Sequence, residues 1–128
     1  MMNKIYLILL IALCGCQAKR NVLSIEIYSV EADIETPYRI KCSDFHKSFQ
    51  NEISKRKISE AIAIESLVSI LNSLNKKEDC SVDTRALLLL KYKDFTDTIC
   101  ANDYCLTYRN RSFGMPDKLK NIIWDSAK

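Results

Sequence analysis

The chain has 128 residues, which suits one small domain and leaves too little material for a second hydrophobic core. Its 19 Lys and Arg against 16 Asp and Glu give a formal charge of +3, too balanced for the basic footprint of a nucleic-acid binder. Only 2 Gly and 2 Pro occur, and no internal repeat or low-complexity stretch is visible, so a flexible or repetitive chain is excluded.

The first element is a segment for removal. A charged start, Met1 to Lys4, precedes an apolar run from Ile5 to Leu13 that is far shorter than the ~20 residues needed to span a bilayer. Small residues follow it, as in a secretory signal. Leu13, Cys14, Gly15 and Cys16 then resemble the lipobox of bacterial lipoprotein precursors: Leu, a small residue, Gly or Ala, and Cys. Cys14 departs from the commoner Ala or Ser but is small enough to fit. The resemblance implies cleavage before Cys16, a diacylglyceryl thioether on its sulfur and acylation of its new amino group. It implies the lipid bilayer as a partner through acylated Cys16, since two or three acyl chains anchor stably where one does not. Gln17 stands where enteric bacteria place an inner-membrane Asp. This favours the outer membrane, with the body expected to face the periplasm. Residues 1–15 are thus read as signal peptide, 16–21 as lipidated tether and 22–128 as a single small domain.

Within that domain, Leu23 to Val30 alternates apolar and polar side chains and predicts a strand. Tyr38 to Cys42 alternates again and predicts a second, short strand. Phe45, Phe49 and Ile53 fall at helical spacing and suggest a short amphipathic helix capped by Ser43. From Ser59, a longer helix is expected to bury Ala61, Ile64, Leu67, Val68, Leu71 and Leu74, with Ser59 as N-cap and Lys76 and Lys77 at its C-terminal end.

Arg85 to Lys93 carries four consecutive Leu and predicts a strand buried on both faces. Thr96 to Cys100 and Tyr104 to Tyr108 flank Ala101, Asn102 and Asp103 and predict a hairpin. A polar turn at Asn110 to Ser112 leads to a short closing helix marked by Leu119, Ile122 and Ile123. The expected fold class is therefore α+β: one antiparallel sheet of about five strands against a long helix and a short C-terminal helix. Cystatin-like and ferredoxin-like layouts both satisfy this order.

With Cys14 lost and Cys16 lipidated, Cys42, Cys80, Cys100 and Cys105 remain, an even set in an oxidising compartment. Two disulfides are expected, paired 42/80 and 100/105, the second stapling the predicted hairpin. No Cys-x-x-Cys pair exists, so neither a metal site nor a cofactor is expected. His46 is the only His and reads as a solvated side chain, which leaves no base for most nucleophilic mechanisms. Asp79, Asp83, Asp94, Asp97 and Asp103 lack calcium-loop spacing and read as turn formers. Lys55, Arg56 and Lys57 read as a solvated strand end and loop.

Tyr104, Tyr108, Arg109 and Arg111 combine the residue types that anchor interfaces and form the candidate partner-binding surface, on the exposed side of the C-terminal hairpin. The expected function is that of a non-enzymatic envelope lipoprotein that binds an envelope protein. The alternative is an inhibitor or immunity lipoprotein neutralising a toxin or wall-degrading enzyme. Small lipid-anchored lysozyme inhibitors are similar in size and disulfide use, but their Tyr- and Lys-Gly-containing signature is missing here.

Overall fold

A computed structural model describes residues 21–125; residues 1–15, expected above to be a signal segment, and Cys16 lie outside the described residues. The fold is α+β, with one six-stranded antiparallel sheet in the order β2-β1-β3-β4-β5-β6. β1 is Ser24–Ser29, β2 Ser54–Ile58, β3 Ala86–Lys91, β4 Thr96–Ala101, β5 Cys105–Tyr108 and β6 Arg111–Gly114. Three helices accompany it: α1 (Phe45–Phe49), α2 (Ala61–Asn72) and α3 (Asp117–Trp124).

β2 and β3 flank β1 and run parallel to one another, so their link must cross the sheet, and α2 makes that crossing. Its buried Ile64, Leu67 and Leu71 recur at helical spacing and lie on Ile25, Ile27, Leu88, Leu90, Ile99 and Leu106. From α3, Leu119 and Ile123 complete this core. Leu88 sits at its centre and is fully buried. Truncation of such a Leu to Ala costs about 2–5 kcal/mol.

The opposite sheet face carries a second, smaller core of Val30, Ile40, Phe45, Phe49, Leu87 and Cys100. It is covered by the segment between β1 and β2, and the two cores explain the Leu run: Leu88 and Leu90 serve one, Leu87 the other. Leu89 is only half-buried, because the covering segment reaches across the half of that face where β3 begins.

Several expectations need correction. Tyr38 to Cys42 is not a strand: Ile40 is held by Asp83 Oδ1, which accepts from its N–H at 2.7 Å, and by Thr84, whose N–H donates to its carbonyl at 2.9 Å. The Ser43 to Ile53 helix shrinks to α1 between two 3₁₀ turns, Cys42–Asp44 and Gln50–Glu52. The basic run is an edge strand, β2, where Lys55 and Lys57 stay exposed while Arg56 turns to the helix face and donates to the Ile122 carbonyl.

The long helix starts at Ala61, with Glu60 rather than Ser59 at the N-cap, and stops at Asn72. Beyond it, Asn75 and Lys77 exchange backbone hydrogen bonds with Gly114 and Ser112, so this stretch lies along β6 and covers that sheet edge. The polar turn is one residue earlier and tighter than expected. Arg109 and Asn110 adopt positive φ (51° and 61°), the geometry of a two-residue hairpin, and β6 follows at once.

Both disulfides form, but with the other pairing. Cys42 is bonded to Cys100 with Cα atoms 5.7 Å apart, and Cys80 to Cys105 at 6.4 Å. The hairpin register excludes a 100/105 link, because Thr107 and not Cys105 stands opposite Cys100. Cys105 is therefore a diagonal neighbour on the same face. Diagonal positions are about 7–8 Å apart, beyond the usual Cα span of a disulfide.

Candidate functional site

The register gives the sheet two distinct ends. At the end where β1 begins lie Asn21–Leu23, the end of β2, the β3–β4 turn and the β5–β6 turn. We term this the tether end. At the far end lie the start of β3, the β4–β5 turn and both disulfides.

The far end is built on Arg85. Its side chain is buried, 6% exposed, and its guanidinium forks onto both carboxylate oxygens of Asp83 at 2.8 and 3.0 Å. The same group donates to the Ile34 carbonyl, the Thr36 hydroxyl and the Thr84 carbonyl, and it lies over the Phe49 ring at 5.4 Å. A planar cation with five donors is suited to such a junction, since it reaches two backbone carbonyls, a hydroxyl and a carboxylate at once. One side chain thereby orders the 31–40 loop.

Beside this junction, Asn102 folds its side-chain oxygen over the β4–β5 turn and accepts from the N–H groups of Tyr104 and Cys105, each at 2.9 Å. The Tyr104 carbonyl in turn accepts from Met115 N–H at 3.0 Å. Tyr104 thus has a fixed backbone, next to the Cys80–Cys105 bond, and a side chain left 72% exposed. Between this turn and Ala32–Thr36 runs a groove of about 460 Å³ lined also by Asp83, Arg85 and Asp103. Asp83 and Arg85 neutralise one another. Asp33, Glu35 and Asp103 leave the groove acidic.

The four residues singled out from sequence do not form one surface. Tyr104 stands at the far end and Arg109 in the β5–β6 turn at the tether end, with β5 between them. Tyr108 is buried and faces the helix-side core rather than solvent. Burial pushes its hydroxyl up to about 12, helped by the neighbouring Tyr92 and opposed by Arg109. The Arg109 guanidinium lies over the Tyr108 ring at 4.9 Å and pairs with Asp97 at 3.5 Å. Arg111 is exposed at the start of β6. The aromatic–Arg combination is therefore two separate features.

Sequence reasoning missed Asp33, Glu35, Asp83 and Arg85. One signal was present: an Arg directly before the apolar run Ala86–Leu90 must find a partner, and Asp83 is two residues away. His46 stays exposed, with its ring edge-on to Tyr28 at 4.9 Å and to Phe45 at 5.6 Å. Among the described residues, no group of three or more His, Cys, Asp or Glu is placed to hold a metal ion. None of the described helices is long and apolar enough to cross a membrane.

No protein-family model, curated protein or solved structure matches the chain.

Proposed function

We propose that the chain is a lipid-anchored protein of the bacterial envelope whose body is a non-enzymatic binding domain, receiving a protein partner at its far end. The observation that carries this reading is Tyr104: an exposed aromatic on a backbone held by Asn102, by Met115 and by an adjacent disulfide. A side chain presented from a rigid base loses little conformational entropy on binding, and Tyr is enriched among the residues that dominate interface energies. The lipobox-like Leu13, Cys14, Gly15 and Cys16 supply the address, and the pairing of all four remaining Cys suits an oxidising compartment.

The carboxylates of Asp33, Glu35 and Asp103 beside the ring select a partner that presents Lys or Arg, through complementary potential. This favours, as a narrower form of the same reading, an inhibitor or immunity lipoprotein directed at a basic toxin or wall-degrading enzyme. A photo-crosslinking residue at position 104, introduced into the full chain in living cells, tests the site. A discrete adduct from position 104 that is lost on Asp33→Lys with Asp103→Lys supports it. Adducts of equal yield from position 104 and from position 57, which is exposed on the edge strand β2 toward the opposite end, would refute a binding role for the far end.

A further inference from the structure

We propose that the tether end of the domain rests directly on the lipid bilayer, with Leu23, Ile62 and Phe95 inserted at the headgroup boundary as a second membrane contact besides acylated Cys16. This rests on the anchoring reading above and adds to it an orientation and a surface. Five large apolar side chains are well exposed among the described residues, and three of them are on tether-end segments: Leu23 (59%) just before β1, Ile62 (83%) in the first turn of α2, and Phe95 (38%) in the β3–β4 turn. The three are far apart in sequence. Only the sheet register gathers their segments at one end.

The occupant follows from where the chain leads. Four residues, Gln17 to Arg20, separate Cys16 from Asn21, where the described residues begin at this end. Even fully extended, the five steps from Cys16 to Asn21 span at most about 18 Å. An acylated Cys16 therefore holds the tether end within that distance of the membrane. Phe95 stacks on Tyr92 with ring centroids 4.4 Å apart, and Tyr92 also lines a cleft of about 790 Å³ between α2 and the sheet that opens beside Leu23. Aromatic and aliphatic side chains with a polar margin are the composition that partitions into the headgroup boundary.

Charge plays a minor part here. Among the described residues at this end, Lys91 pairs with Glu26 and Arg109 with Asp97, while Lys93 and Arg111 are offset by Glu60 and Asp94. The contact is accordingly apolar and should survive high salt, unlike docking through a basic patch. Held this way, the sheet stands with Tyr104 and the acidic groove pointing away from the membrane.

The test uses the full-length lipidated protein in vesicles of phosphatidylethanolamine with a minority of phosphatidylglycerol, with and without brominated acyl chains that quench nearby Trp. Phe95→Trp and Tyr104→Trp each add a reporter to the native Trp124. In the Phe95→Trp chain the added emission should fall about twofold, as for a ring about 5–10 Å into the boundary, with no change in high salt. The Tyr104→Trp chain should show no quenching beyond wild type. Adding Ile62→Glu to Phe95→Trp should reduce the quenching. Vesicle-bound protein with equal quenching at both positions, or none at either, would overturn the orientation and leave the anchor intact. Failure of the lipidated preparation to sediment with vesicles any better than Cys16→Ser would remove the anchor and this inference together. Absence of quenching with efficient disulfide formation between copies of a Phe95→Cys chain would assign this end to a second copy instead.

Discussion

The indole N–H of Trp124 donates to the carbonyl of Val30 at 2.9 Å, across 94 positions of sequence. It joins the last turn of α3 to the end of β1, so the final element of the fold locks the first. Trp124→Phe should keep the ring contact and lose this bond, costing about 1 kcal/mol, with the unsatisfied carbonyl as part of the cost. Urea denaturation would show a lower midpoint with an unchanged slope. An unchanged midpoint would mean that the bond contributes nothing.

Breaking the Asp83–Arg85 pair from either side should have unequal consequences. Asp83→Ala leaves a buried guanidinium without its counter-charge and frees the Ile40 N–H, so a loss of about 3 kcal/mol is expected. Arg85→Met leaves Asp83, which is 40% exposed, in contact with water and should cost less. Thermal melts of both variants decide the ranking, and equal losses would contradict it.

Non-reducing peptide mapping should recover Cys42 with Cys100 and Cys80 with Cys105. The closed loops separate partners by 58 and 25 positions. In the chain-entropy model each contributes roughly 3–4 kcal/mol when formed alone. Reduction should therefore lower the melting temperature by well over 10 °C, given about 4–8 °C per kcal/mol for a domain of this size. Recovery of a Cys100–Cys105 peptide would contradict the register of the β4–β5 hairpin.

Tyr108 should make stability fall at alkaline pH. Its hydroxyl is held at about 12 in the fold, against about 10 in an unfolded chain. The fold favours the neutral phenol, so this contribution is fully present below about pH 10 and is lost as pH rises toward about 12. Urea midpoints at pH 9 and pH 11 should differ less in Tyr108→Phe than in the wild type. Identical pH dependence in the two proteins would show that Tyr108 is not the group responsible.

Cys16→Ser should abolish fatty-acid labelling and membrane sedimentation, because the thioether requires that sulfur. Label retained in the mutant would place the acyl chains elsewhere and remove the anchor from this reading.

Local pattern was enough to read β1, β3, β4, β5, α2 and α3, because each buries one regular stripe or a continuous apolar run. Ile25 and Ile27 mark their face by a period of two, and Ile64, Leu67 and Leu71 mark theirs by helical spacing. The two outer strands were hidden for the opposite reason. Apart from Arg56 and Ile58, β2 is exposed, and β6 is only partly buried, so neither shows a clean alternation. The spurious strand at Tyr38 to Cys42 shows the converse: Ile40 and Cys42 do point inward, but the Ile40 backbone is satisfied by Asp83 and Thr84, and the Cys42 carbonyl by the Phe45 N–H, rather than by a ladder.

From the amino-acid order alone came the class of fold, the even set of four cysteines and the lipobox-like Leu13–Cys16 on which the proposed anchor rests. Only the tertiary structure decided which cysteines pair, that Tyr108 is core while Tyr104 is surface, and that Leu23, Ile62 and Phe95 share one end. These are all relations across strands. They depend on register, and a shift of one residue would turn every side chain of a strand to the other face. That register is set by the joint packing of two cores, and no single segment carries it.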